Sequence, residues 1–344
     1  MKRSRISMAL VMVLLGAGAA RADSLLINGA GATFPFPLYS KWFSQYNKLR
    51  PEQRFNYQSI GSGAGIKQIT ERTVDFGASD APLTDPQLAR APGLLHVPTV
   101  LGAIAITYRD LPDGLRLTGP VLADIYLGKI TRWSDPRITQ LNPGAHLPDS
   151  AITVIHRSDG SGTTAVFTDY LSKVSPEWKQ RVGSRTSVRW PAGLGGKGNE
   201  GVTGLVKSMP GAIGYVELAY ANQNRLPRAL LQNAGGKFVA PTIAGTSAAA
   251  AGVTMPADFR ISITNAPGAS AYPIAAFTYL LVYRDQTDAA KGEAIAHFLW
   301  WAIHDGQKLA APLDYAPLPA PIVSKVEAEL RTLRVQGKLV LGAR

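Results

Sequence analysis

Cysteine does not occur anywhere in the 344 residues. Its absence excludes disulfides, zinc–thiolate sites, a cysteine nucleophile and attachment of a lipid to cysteine. Charge is sparse as well: 17% of residues are charged against 46% hydrophobic, a balance that excludes a disordered chain and supplies real cores. After residue 20 no apolar run is suited to spanning a bilayer, because those at 274–283 and 294–303 are short or interrupted by polar residues. Internal repeats at solenoid periods are missing. The five histidines (His96, His146, His156, His297, His304) show no ligand spacing and the acids are scattered, so neither a metal nor another cofactor is expected. What is plentiful is glycine (34) and proline (24), without a period. They read as many tight turns in a chain long enough for two domains.

The net charge of +12 invites a nucleic-acid reading at first. Part of it sits in the first 22 residues, where Lys2, Arg3 and Arg5 precede an apolar stretch from Met8 to Ala20, followed by Ala20-Arg21-Ala22. This is the pattern of a secretory signal peptide, 1–22, cleaved near Ala22. A stretch of that length rises only ~20 Å as a helix, too short for an anchor in a ~30 Å hydrocarbon core. Removing it takes away Lys2, Arg3, Arg5 and Arg21 and no acid, which lowers +12 to +8. The remaining basic residues are dispersed and interleave with no aromatic motif, so a nucleic-acid partner is not expected. The expectation is an exported, soluble protein without stable membrane insertion and without a lipid anchor.

Short β-branched runs alternate with amphipathic stretches, which predicts an α/β architecture. Strands are predicted at 54–60, 74–78, 101–108, 152–156, 212–216 and 279–282. Helices are predicted at 37–50, where Leu38, Trp42, Tyr46 and Leu49 share a face, and at 165–174, 291–303 and 321–335. Two glycine- or alanine-rich stretches, 191–204 and 235–256, read as surface loops.

Three segments share one form: glycines and a hydroxyl residue placed just before a helix. They are Gly29-Ala30-Gly31-Ala32-Thr33-Phe34-Pro35, Gly61-Ser62-Gly63-Ala64-Gly65, and Arg157-Ser158-Asp159-Gly160-Ser161-Gly162-Thr163-Thr164. A helix N-terminus leaves N–H groups unpaired at the positive end of the dipole, glycine lets a ligand approach the backbone, and hydroxyls add donors. Any one of these loops is most simply an ordinary helix cap; three together point to an anion cradle. A nucleotide site is unsupported, since no Gly-Lys-Ser/Thr follows at the spacing of a P-loop. Ser62 and Ser161 are not nucleophile elbows, because Ile60 and Asp159 stand where that pattern needs glycine.

Asp80 ends the segment Asp75-Phe76-Gly77-Ala78-Ser79-Asp80-Ala81-Pro82. A carboxylate beside an anion site makes sense if the anion carries a proton for it to accept, and it penalises an anion without one. Arg157 offers a planar fork suited to oxyanions, and Asp159, two residues on, is placed to hold it.

These segments, with Ile125-Tyr126-Leu127-Gly128-Lys129-Ile130, Gly193-Leu194-Gly195-Gly196-Lys197-Gly198-Asn199 and Gly211-Ala212-Ile213-Gly214-Tyr215-Val216-Glu217, make the sequence resemble the PstS-type phosphate-binding protein family. Its members are the solute-binding components of phosphate ABC transporters. The matches run in family order over essentially the whole chain after the signal peptide. The resemblance implies a two-lobed periplasmic-binding-protein fold of type II, α/β, each lobe a central β-sheet flanked by helices, with a two-segment hinge. Lobe I would comprise 23–100 plus 271–344 and lobe II 101–270.

Carried over residue by residue, the resemblance implies phosphate binding by Thr33, Phe34, Ser62 and Asp80 from lobe I, and by Arg157, Ser161, Gly162 and Thr163 from lobe II, with Asp159 orienting the arginine. It implies a monomeric periplasmic protein that is not an enzyme, with permease subunits and their cytoplasmic ATPase as partners. Two departures stand near the site: Gly63-Ala64-Gly65 replaces a serine-glycine variant, and His156 precedes the ligand arginine. The Gly193–Gly198 loop and residues 128–130 read mainly as structural. The alternative, a secreted phosphatase-like phosphoryl enzyme, lacks a nucleophile with its base and a metal pair.

Overall fold

In the computed structural model, residues 24–342 are described; the signal-peptide assignment, 1–22, lies outside them. The chain starts with β1 (Leu25–Gly31), α1 (Phe36–Leu49), β2 (Gln53–Ser59), α2 (Ser62–Thr70), β3 (Phe76–Ser79), α3 (Asp85–Ala89) and the long β4 (Leu94–Tyr108). The middle holds β5 (Arg116–Leu117), α4 (Gly119–Tyr126), α5 (Pro136–Thr139), β6 (Thr153–Arg157), α6 (Gly162–Val174), α7 (Pro176–Arg181), β7 (Leu194–Gly196), α8 (Gly198–Ser208), β8 (Ala212–Glu217), α9 (Leu218–Gln223), β9 (Leu230–Gln232), β10 (Phe238–Val239) and α10 (Ile243–Ala250). The last part adds β11 (Ala275–Tyr283), β12 (Asp285–Gln286), α11 (Ala289–Ile303), α12 (Ala320–Leu330), β13 (Arg334–Val335) and β14 (Lys338–Leu339).

Eight strands join in the order β2-β1-β3-β11-β4-β8-β6-β7. One strand makes this continuity. The first part of β4 pairs antiparallel with β11 over residues 94–103, and its last five residues pair with β8. The two lobes of the fold therefore share β4, with β1, β2, β3 and β11 on one side and β8, β6 and β7 on the other. Where the strand passes from one partner to the next, Ile104 N–H donates to Ile274 O at 2.8 Å, so the two chain crossings are bonded to each other. Every residue of β4 and of β11 is buried, as expected of strands covered by helices on both faces.

The predicted periodicities resolve as helices and strands with shifted ends. α1 buries Leu38, Tyr39, Trp42, Phe43 and Tyr46, and Phe43 stacks on Phe55 at 5.5 Å. Burying such side chains is worth ~1.5–3 kcal/mol each. Three readings need correction. β1 was not predicted: its Asn-Gly-Ala-Gly end has poor strand propensity, and it is held instead by parallel ladders to β2 and β3 on both sides. Residues 191–204 are not a surface loop, since they hold β7 and the start of α8, where Gly198 and Asn199 are buried. Residues 235–256 contain α10, started by Thr242, whose hydroxyl accepts from Gly245 N–H at 3.0 Å. Small residues leave no apolar period to read, but they let α10 sit tightly, with Gly245, Thr246, Ala249 and Ala250 buried.

Candidate functional site

The three small-residue loops meet where the two sides of the sheet face each other. Thr33 follows β1, Ser62 opens α2, Asp80 follows β3, Arg157 ends β6, and Ser161 to Thr163 open α6. All eight predicted ligand positions are buried, Asp80 and Thr33 at 2% exposure and Ser62, Ser161 and Thr163 at 0%. Such burial of polar groups is costly unless each has partners. Most have them, from their own side of the cleft for Asp80, Arg157, Ser161 and Thr163 and from the opposite side for Thr33, which Asn199 meets.

Arg157 donates to Asp159 through Nε (2.7 Å to Oδ1) and Nη2 (2.5 Å to Oδ2), a bidentate fork that fixes the guanidinium plane. Nη1 reaches Thr163 Oγ1 at 3.3 Å. Burial alone would push the Asp159 carboxyl up, but its bonds to Arg157 and to Gly198 N–H hold it below the ordinary carboxylate range. Asp159 thus fixes the plane in which the Arg157 guanidinium lies.

Asp80 is held differently. Its Oδ1 accepts from Thr278 Oγ1 at 2.8 Å, while Ser62 Oγ lies 3.5 Å from Oδ2 and accepts from Asp80 N–H at 3.3 Å. Burial pushes the carboxyl up to about 7, against the Thr278 bond, the Arg157 charge and Ser62, which favour the ionised form. This is a carboxylate close to its titration point near neutral pH, able to accept a proton or a hydrogen bond from a protonated ligand.

Gly162 brings the two sides into contact. A Cβ placed there would lie 2.4 Å from Ser62 Oγ and 2.5 Å from Asp80 Oδ2, so no side chain fits. One turn of chain away, Gly63 N–H donates to Gly160 O at 2.8 Å. Gly61, before α2, has a φ of +91° and faces Asp159 closely enough to exclude a Cβ. Among the described residues, the amide N–H groups of Phe34, Ser62, Gly162 and Thr163 meet no protein acceptor. Ser161 caps α6, accepting from Thr164 N–H at 3.0 Å. The Phe34 carbonyl accepts from Tyr315 OH at 2.7 Å. The arrangement is a buried cluster rich in N–H and O–H donors, with one guanidinium and one readily protonated carboxylate, suited to a partly protonated oxyanion.

Beside this pocket an interlobe groove of about 860 Å³ is lined by Ile66, Asp80 to Asp85, Ala165, Asp169, Arg185 and Arg260, among others. No group of three or more His, Asp or Glu able to hold a metal occurs among the described residues. No helix among them is long and apolar enough to cross a membrane.

Sequence reasoning missed two residues. Thr278, the donor to Asp80, sits at a bulge where β11 loses register with β4, a device that re-aims side chains. Its signal was available: a lone aliphatic hydroxyl in the apolar run Ala275-Ala276-Phe277-Thr278-Tyr279-Leu280. Asn199 bridges Thr33 and Thr163 from the first turn of α8. It lay within the glycine-rich stretch read as a loop.

A PBP superfamily domain matches residues 17–305. Over 315 residues the chain is 49% identical to the phosphate-binding protein PstS of Xylella fastidiosa strain 9a5c, covering 90% of this chain and 86% of that protein. It is 45% identical over 329 residues to the phosphate-binding protein PstS of Pasteurella multocida strain Pm70, covering 94% and 95%. Among solved structures it resembles a high-affinity periplasmic phosphate-binding protein, PfluDING, solved with bound phosphate. There the TM-score is 0.72 at 22% identity, over 88% of this chain and 93% of that one, a likeness of fold. The chain thus belongs to the PBP superfamily and, within it, to the PstS family of phosphate-binding proteins.

Proposed function

We propose that this protein binds one inorganic phosphate between its lobes and delivers it to the permease of a phosphate ABC importer. The observation that carries the reading is the buried convergence of unpaired amides and hydroxyls, from the starts of α2 and α6 and from Thr33, around Arg157 and Asp80. Family membership through relatives named as phosphate-binding proteins supports it.

The ligand set is Thr33, the Phe34 amide, Ser62 and Asp80 from lobe I, and Arg157, Ser161, the Gly162 amide and Thr163 from lobe II. Lobe I spans 23–100 plus 271–344 and lobe II 101–270, with the hinge where Ile104 and Ile274 are bonded. Arg157, locked by Asp159, supplies the one full positive charge. Asp80 accepts a hydrogen bond from the phosphate's proton, a bond that sulfate, fully deprotonated near neutral pH, does not offer. Closure is stabilised by bonds between the lobes, such as Gly63 N–H to Gly160 O. The protein acts as a monomer, exported by the segment 1–22 to the periplasm, and without cysteine it carries no thioether-linked lipid. Its partners are the permease subunits and, across the membrane, the ATPase.

Calorimetric titration of the phosphate-stripped protein tests the reading. Saturable one-to-one binding of phosphate, undisturbed by excess sulfate, is expected. No heat with phosphate, or equal competition by sulfate, overturns it.

A further inference from the structure

Asn199 is fully buried, with its side chain between a threonine of each lobe. The backbone N–H of Glu217 lies 3.0 Å from one end of its amide. A backbone N–H only donates, so that end is the carbonyl oxygen and the NH₂ group faces the threonines. Nδ2 lies 2.8 Å from Thr33 Oγ1 and 3.2 Å from Thr163 Oγ1. Asn199's own backbone N–H, in the first turn of α8 where no helix carbonyl can reach it, donates to Thr33 Oγ1 at 3.1 Å. Arg157 Nη1 donates to Thr163 Oγ1 at 3.3 Å.

A hydroxyl oxygen accepts two hydrogen bonds and donates one. At both threonines the two acceptor positions are filled by nitrogen groups that have only protons to offer. Each hydroxyl proton must then go to an acceptor elsewhere, and none is provided by the described residues. We infer that Asn199 is a positioning residue that sets hydroxyl polarity: it makes Thr33 and Thr163 obligate donors toward the bound phosphate. It acts through the threonines. Because Thr33 belongs to the opposite lobe, Asn199 fixes its polarity only when the cleft is closed, which couples closure to ligand recognition. The inference rests on the phosphate reading above.

The test is a mutant cycle read by phosphate titration of the full protein, with the unliganded melting temperature as a fold control. N199A is expected to weaken phosphate binding about tenfold, and to weaken it less than about threefold in the T33V/T163V background, where no hydroxyl is left to orient. N199D keeps the acceptor for Glu217 N–H but places an oxygen where the NH₂ stands. It would draw both threonine protons to itself, and a loss of at least about a hundredfold is expected. Equal factors for N199A in the two backgrounds, or wild-type affinity in N199D, overturn the inference. If N199D does not fold, the N199A cycle decides alone. A wild-type protein that binds no phosphate sinks the functional reading itself, whereas additive effects on a wild type that binds sink only the role of Asn199.

Discussion

Replacing Gly162 with alanine asks whether the two walls must meet at that point for the ligand to be held. The added methyl would sit 2.4 Å from Ser62 Oγ, 2.5 Å from Asp80 Oδ2 and 2.7 Å from Asp80 Cβ. Ordinary contact lies near ~3.5 Å, so the overlap is about 1 Å against three atoms of the opposite wall. Those atoms have little freedom, because Ser62 and Asp80 are buried and Asp80 is tied to Thr278 at 2.8 Å.

The walls must therefore separate by about 1 Å in G162A, enough to break the Gly63 to Gly160 bond and stretch those from Asn199 to Thr33. Two or three such bonds at ~1 kcal/mol each amount to ~2–3 kcal/mol, before any bond to the phosphate is counted. Calorimetry should then show phosphate affinity reduced by about a hundredfold or more. G204A serves as the control: a Cβ there meets nothing within 4 Å in α8. It should leave affinity unchanged and add ~0.5–1 kcal/mol of stability. Binding by G162A within about threefold of wild type would refute the closed-cleft argument.

In D80N the amide donates to a fully deprotonated oxygen where the carboxylate repels it. The phosphate-over-sulfate preference should fall by about 10- to 100-fold in competition titrations, a cost of ~1–3 kcal/mol for a mis-paired buried group; equal weakening for both anions would refute the proton-sensing role. The same residue makes the unliganded protein pH-sensitive. Its carboxyl titrates at about 7 when folded, raised from 3.8. Between those values the folded chain keeps a proton that the unfolded chain has released, so stability falls as pH rises through this window and is level above it. At ~1.4 kcal/mol per unit this amounts to ~4 kcal/mol, a slope that D80N lacks. Urea unfolding of both proteins between pH 4 and 8 should diverge across that range, and parallel profiles would refute the assignment.

Local chemistry made much of this protein legible from sequence. Helix α1 was readable because Leu38, Trp42 and Tyr46 recur with the helical period, and the small-residue loops because glycine and hydroxyl residues stand just before helices. Asp159 could be paired with Arg157 because the two are neighbours in the chain. β1 and α10 could not be read: glycine and alanine carry almost no periodic signal, and both elements are held by what packs on them.

Long-range contact decided the rest. Thr278 and Asp80 are 198 residues apart and Asn199 and Thr33 are 166 apart, and no local pattern encodes such meetings. The sequence by itself determined which groups are available to bind an oxyanion and which helices present them. The tertiary structure decided how those groups are satisfied: which hydroxyl oxygens are filled by N–H donors, and which carboxylate is buried deeply enough to titrate near neutral pH. The physical reason is that hydrogen-bond polarity and desolvation depend on neighbours within a few ångströms, and here those neighbours arrive from distant parts of the chain.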